Sequence, residues 1–203
     1  MRTRKGSALL AATVTVGMAA LGLSQTASAA TTTGAPTVID VTSMSQIPTT
    51  HSKPAGQAVA SATYRVTMRN NHGGQCLDGD LNGIGNNGAK VQLWSCNGWD
   101  NQTWIWVPDA ARGAGWYTIL NAHGGQCLDG DLGRIGTNGD TVWLWSCNNW
   151  DNQAWGWNGS VLVNRNGGQC LDGDLGRIGT NGDTVWLWSC NGWDNQAWKL
   201  YQA

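Results

Sequence analysis

The chain has 203 residues, with 13 Asp, no Glu, no Phe and 29 Gly, and its 14 Trp all lie between Trp94 and Trp198. A formal charge of −1 argues against a nucleic-acid partner, which needs a basic face, and against a polybasic membrane-surface protein, so neither nucleic-acid binding nor membrane insertion is expected. Charged residues make up only 12% of the chain, which excludes a coiled coil or a charge-driven disordered chain, and with three His and no Glu any catalysis would rest almost wholly on Asp.

Residues 1–29 read as a secretory signal peptide. Arg2, Arg4 and Lys5 form a positive start, Ala8 to Leu23 an apolar stretch, and Ala27-Ser28-Ala29 a small-residue cleavage site. The apolar stretch is shorter and more diluted than a spanning helix of about 20 residues. Cleavage leaves 9 Lys and Arg against 13 Asp. The expected destination is extracellular, where disulfides persist. Residues 30–63 are rich in Thr, Ser, Ala and Pro and read as a linker; only Val38-Ile39-Asp40-Val41 has strand character.

From residue 64 to 203 the chain repeats itself. Gly73–Trp104, Gly124–Trp155 and Gly167–Trp198 are three copies of one 32-residue unit. Copies two and three differ only at Asn149 against Gly192, and copies one and two differ at eight positions. Each copy follows a short strand-like run, at Tyr64–Met68, Trp116–Leu120 and Ser160–Val163. In copy two a second strand is predicted at Gln126–Asp129, a third at Thr141–Cys147 and a fourth from Ala154. Along the third strand Val142 and Leu144 share one face, and Trp143 and Trp145 share the other. A Gly, Asn and Asp-rich loop joins the second and third strands. No helical period is visible.

Four strands in each of three copies need a closed architecture. One copy is too small to stabilise its own core, and a propeller closes with about 4–8 blades. Three copies close an all-β β-trefoil, six strands in a barrel and six in capping hairpins. The six cysteines fall as Cys76/Cys96, Cys127/Cys147 and Cys170/Cys190, each pair 20 apart. The pairing that is local and identical in every copy is one disulfide within each repeat. A zinc site would want closer ligand pairs than these.

Three features recur at fixed spacing. An Asp follows the first Cys of each copy (Asp78, Asp129, Asp172), and a Trp lies two before the second (Trp94, Trp145, Trp188). Asn-Gln then precedes x-Trp, as Asn101-Gln102, Asn152-Gln153 and Asn195-Gln196. Sugars call for this chemistry. The C–H face of a pyranose packs on a flat ring, and its hydroxyls both donate and accept, so a carboxylate and an amide can hold an adjacent pair. Trp104, Trp155 and Trp198 instead read as core. The Gln of each pair is expected to serve the backbone partly or wholly.

The C-L-D, V-x-L-W-x-C and N-Q-x-W motifs, in order and in triplicate over residues 64–203, resemble those of ricin-type β-trefoil lectin domains. The resemblance implies a β-trefoil that binds galactose- or xylan-type glycans. It places sugar sites on Asp78, Gln92, Trp94, Asn101 and Gln102 in copy one. The matching sets are Asp129, Trp145, Asn152 and Gln153, then Asp172, Trp188, Asn195 and Gln196. The position of Gln92 becomes Trp143 and Trp186, and an extra Trp (Trp99, Trp150, Trp193) sits beside each Asn-Gln; both bear on which sugar fits.

Other chemistry is poorly served. Asp78-x-Asp80-x-Asn82-Gly83 begins like a calcium loop, but Ala89 stands where the bidentate Glu belongs. Asp78 and Asp80 as a hydrolytic pair have nothing to separate their roles. The expectation is a secreted, monomeric, non-catalytic lectin with glycan partners and no metal or cofactor. The alternative is a protein-binding trefoil such as a protease inhibitor, though such trefoils act through one distinctive loop, whereas here the surface loops repeat.

Overall fold

The structure is a computed structural model that describes residues 38–40 and 63–203. The expected signal peptide and most of the expected linker lie outside the described residues. Within that linker Val38–Asp40 forms strand β1, paired in parallel with Thr63, Tyr64 and Arg65.

Copy one supplies β2 (Thr63–Asn70), β3 (Cys76–Gly79), β4 (Ala89–Trp94) and β5 (Thr103–Pro108). Copy two supplies β6 (Trp116–Asn121), β7 (Cys127–Gly130), β8 (Asp140–Trp145) and β9 (Ala154–Trp157). Copy three supplies β10 (Leu162–Asn164), β11 (Cys170–Gly173), β12 (Asp183–Trp188) and β13 (Trp198–Gln202). The described helical segments are 3-10 turns at Asp100–Gln102, Asp151–Gln153 and Asp194–Gln196.

The first and fourth strands of the copies close a ring. β2 pairs with β5, β5 with β6, β6 with β9 and β9 with β10. The Val161–Ala197 bridge joins the third copy to its own last strand, and β13 returns to β2. The second and third strands form the hairpins β3–β4, β7–β8 and β11–β12. Their third strands meet one another, β4 with β8, β8 with β12 and β12 with β4. This is the β-trefoil expected from three copies, and it leaves no hairpin with an unpaired inner edge.

The alternation read from the sequence sets the core. Val91, Val142 and Val185 point inward with Leu93, Leu144 and Leu187, all buried. Trp104, Trp155 and Trp198 are buried beneath the hairpins. Their indole N–H groups donate to the backbone carbonyls of Leu77, Leu128 and Leu171 at 3.0, 2.9 and 3.0 Å. A buried indole needs that partner. The third strands end at Trp94, Trp145 and Trp188, two residues before the sequence pattern suggests. Asn87 Oδ1 accepts from both the backbone N–H and the hydroxyl of Ser146, at 2.7 and 2.8 Å, and draws the chain out of the ladder. Asn138 and Asn181 do the same to Ser189 and Ser95.

Candidate carbohydrate-binding grooves

Register builds each site. In the β3–β4 hairpin Cys76 lies opposite Trp94 and Asp78 opposite Gln92. The other hairpins repeat this, Cys127 with Trp145 and Asp129 with Trp143, then Cys170 with Trp188 and Asp172 with Trp186. Two residues past each third strand, the disulfides Cys76–Cys96, Cys127–Cys147 and Cys170–Cys190 tie the hairpin to the following loop. All three are the local pairs expected from the repeat. Each closes a 20-residue loop, which contributes roughly 3 kcal/mol by restricting the unfolded chain.

The Asp is a buried floor, only 3% exposed at Asp78. Gln92 Nε2 donates to Asp78 Oδ1 at 3.1 Å, and Asn101 Nδ2 and Gln102 Nε2 donate to Oδ2 at 2.8 and 2.9 Å. In copy three Asn195 and Gln196 donate to Asp172 at 2.9 and 2.7 Å. In copy two Gln153 donates to Asp129 at 2.7 Å. Burial pushes all three carboxyls above the usual carboxylate range, and these donors pull them partway back. An ionised carboxylate has room for about four donors. Three come from the chain at Asp78.

Trp94 and Trp188 are exposed, at 38% and 37%, while Trp145 is half-buried. Each ring leans on a loop of another copy. A Cβ placed on Gly182 would stand 3.6 Å from Trp94, one on Gly88 3.9 Å from Trp145, and one on Gly139 3.6 Å from Trp188. The three glycines have φ of +85°, +86° and +80°, where a side chain is strained in any case. The indoles are braced on one side and open on the other.

Asp78, Gln92, Trp94 and Asn101 line one groove of about 470 Å3, together with Asp80, Leu81, Asn82, Asn97 and Trp99. Asp172, Trp188 and Asn195 line a second of about 270 Å3, with Asp174, Leu175, Trp186, Asn191 and Trp193. Trp186 stands in the smaller groove where Gln92 stands in the larger. Gln102 and Gln196 do not join these linings. Gln102 is buried, its Nε2 donating to Asp78 and, at 3.1 Å, to the Ser95 carbonyl, while its Oε1 accepts from the Asn97 backbone at 2.9 Å. Gln153 and Gln196 repeat those bonds. These three residues fix the floor and the loop rather than face the groove.

The sequence reading missed a second tier. Asn121 Nδ2 donates to the Asn101 carbonyl at 2.9 Å, Asn164 to Asn152 at 2.8 Å, and Asn70 to Asn195 at 2.7 Å. A buried Asn on the first strand of one copy therefore holds the site Asn of another. Its signal was visible, since an Asn stands three residues before each Gly-Gly. The Oδ1 atoms of Asn101, Asn152 and Asn195 are buried and have no partner in the chain. Sequence also missed how the loops are anchored. Asp100 pairs with Arg65 at 2.8 Å, Asp194 with His72 at 2.8 Å, and Asp151 with Arg112 at 2.9 Å. Arg112 belongs to the longer connection between copies one and two. Its guanidinium also donates to the Asn149 carbonyl at 2.8 Å and touches Asp109.

A trefoil of three such hairpins has known counterparts. A family model described as the ricin-type beta-trefoil lectin domain matches residues 64–198. The chain belongs to this family. That membership supports carbohydrate as the ligand class. The crystal structure of the designed three-fold symmetric protein ThreeFoil is 31% identical at a TM-score of 0.62, covering 68% of this chain and 99% of that one. An exo-beta-1,3-galactanase from Clostridium thermocellum is 27% identical at 0.60, covering 68% of this chain and 30% of that enzyme. The Rhizoctonia solani agglutinin shares the fold at 21% identity and 0.59, covering 73% of this chain and all 100% of that one. No curated protein matches the chain. The ricin-type family is generally non-catalytic. Among the described residues no helix is long and apolar enough to cross a membrane, and the disulfides and the lectin domain suggest an extracellular protein.

Proposed function

We propose that this is a secreted, monomeric, non-catalytic lectin with up to three sugar sites that binds galactose- or xylan-type glycans. The mature chain begins near Ala30, and residues 30–63 tether a lectin domain spanning 64–203. The observation that carries the reading is that each hairpin holds a buried carboxylate on one strand and an outward indole on the other, two residues beyond the Asp's cross-strand partner: Asp78 and Trp94, Asp129 and Trp145, Asp172 and Trp188. Trp94 stacks on the apolar face of a pyranose. Asp78 accepts from one hydroxyl and Asn101 from its neighbour, while Gln92 and Gln102 hold the carboxylate in place. The 27% identity to a galactanase favours galactose.

We read no hydrolytic pair here: burial does set Asp78 apart, contrary to the sequence expectation, but the second carboxylate is turned to its own loop. Asp80 caps its own loop by accepting from the Asn82 backbone at 3.1 Å, as Asp131 and Asp174 do from Gly133 and Gly176 at 2.9 Å. A glycan array probed with the secreted protein tests the reading. Galactosides or xylans should be retained, and the triple variant Trp94→Ala, Trp145→Ala, Trp188→Ala should lose them while staying folded. Retention of the same glycans by that variant would refute it.

A further inference from the structure

Among the described large apolar side chains, Trp99, Trp150 and Trp193 stand furthest into solvent, at 59%, 58% and 59%. Nothing in the assignment above uses them. Their backbone is nearly the same in all three copies, with φ and ψ of −84° and 157°, −85° and 163°, and −77° and 158°. It is fixed by one bond each: the side-chain oxygens of Asn97, Asn148 and Asn191 accept from the three Trp N–H groups at 2.9 Å. That Asn is held in turn by Gln102, Gln153 or Gln196. One buried amide therefore sets both the carboxylate floor and the loop that carries the exposed indole.

Two of the exposed indoles line the described grooves. Trp99 and Leu81 line the groove of Trp94 and Asp78, and Trp193 and Leu175 line that of Trp188 and Asp172. Leu81, Leu132 and Leu175 are themselves exposed, at 43%, 47% and 41%. None of the eight differences between copies one and two falls on either position. A single pyranose has one apolar face to lay on Trp94, and its hydroxyls to turn to Asp78. It does not also need an indole and a leucine on the rim. A groove with two aromatic surfaces beside one polar floor suits a chain, whose next residue brings a second apolar face.

Resting on the carbohydrate reading, we propose that Trp99, Trp150 and Trp193 are a second stacking surface, so that each groove takes at least two consecutive sugar residues. The ligand class is then an oligosaccharide or polysaccharide chain rather than a terminal monosaccharide alone.

The test is calorimetry on the full secreted protein and on the variant Trp99→Ala, Trp150→Ala, Trp193→Ala. The probes are galactose against β-1,3-galactobiose, and xylose against xylobiose, dimers chosen to be short so that one molecule fills one groove. In the wild type the dimer of the recognised series should bind roughly three- to tenfold more tightly per site than its monomer, the fold-change of one stacking contact. The variant should lose that gain and bind the monomer as the wild type does, with an unchanged melting temperature. Wild type that binds monomer and dimer alike, or a variant that keeps the dimer's advantage, overturns the second surface while leaving the first site standing. A variant that loses monomer and dimer equally also overturns it, by placing these indoles in the primary site. A wild type that binds neither series nor any glycan on an array brings down the carbohydrate reading itself, and this inference with it.

Discussion

The indole N–H of Trp143 donates to Asp129 Oδ1 at 3.1 Å, the same bond at the same length that Gln92 Nε2 makes to Asp78 Oδ1. Two side chains unlike in size and polarity thus do one job, because each is directly opposite its Asp in the hairpin and each offers one N–H there. What the exchange alters is the groove wall, where an amide becomes a second ring 5.5 Å from Trp145.

This separates donor from ring. Trp143→Gln keeps a donor for Asp129 and loses the ring; Trp143→Phe keeps a ring and loses the donor. Leaving a buried carboxylate one donor short costs about 1–3 kcal/mol. Chemical denaturation should show Trp143→Phe less stable than Trp143→Gln, although Phe preserves more apolar contact. The reverse order would mean that packing of the ring, not its bond to Asp129, is what the site depends on.

The two Trp classes of one copy should respond oppositely to truncation. Trp155 is buried and bonded to Leu128, whereas Trp145 is half-buried on the outer face. Trp155→Ala should cost roughly 3–5 kcal/mol of stability as a large core deletion. Trp145→Ala should cost much less stability and weaken sugar binding at copy two by a stacking contribution of about 1 kcal/mol. Thermal melts and calorimetry on both variants check this. Equal loss of stability would mean that Trp145 is core.

The trefoil, the disulfides and the outward face of Trp94, Trp145 and Trp188 were legible because period-two alternation and triplicate spacing are local signals. The role of Gln102 was half legible. Its place beside Asn101 suggested a ligand pair, yet a one-residue step along a 3-10 turn sends Asn101 to the groove and Gln102 beneath it. Contacts between copies were not legible. Asn121 reaching Asn101, Gly182 bracing Trp94 and Arg112 holding Asn149 depend on how the copies meet across the barrel, which no spacing within one copy encodes. The hold on Asn149 is specific to copy two, where Asn149, at φ 62°, replaces a glycine.

Acid should stabilise this fold over the range where many proteins begin to weaken. Burial raises the carboxyls of Asp78, Asp129, Asp172, Asp140 and Asp183 above the usual range. A folded pKa above the unfolded one means that the folded state binds the proton more tightly. The resulting stability is fully present below the unfolded pKa and is lost as pH rises through the folded pKa. Asp140 and Asp183 are fully buried, and each leaves Oδ2 without a partner. Copy one has Ala89 in that place. The melting temperature should therefore rise as the pH falls from neutral toward the ordinary carboxylate range. In the variant Asp140→Ala, Asp183→Ala it should be higher at pH 7 and climb less on acidification. A wild-type melting temperature that falls over this interval, with the variant in parallel, would show these carboxylates to be adequately solvated.

Binding should be multivalent. Copies two and three carry the same residues at every candidate position, Asp129 with Asp172, Trp145 with Trp188, Asn152 with Asn195 and Gln153 with Gln196. Duplication alone would preserve them, so identity of sequence does not decide the matter. The structure adds that their internal bonds also repeat, Gln153 and Gln196 each donating to the site Asp at 2.7 Å. The hairpins pair through their third strands around a common centre, so the grooves face outward in different directions. Each groove is open to solvent, which keeps the affinity of a single site low. A polymer engaging two or three grooves gains effective concentration, with avidity on the order of 10²–10⁴ over one site. Calorimetry with a short saccharide should count two or more sites per chain, and copy one, with the roomier groove around Gln92, should differ from the other two. A polymeric glycan should bind far more tightly than the short one, and Asp129→Ala with Asp172→Ala together should remove most of that advantage by leaving copy one alone. A count of one that the double variant leaves unchanged would restrict binding to copy one and end the multivalent reading.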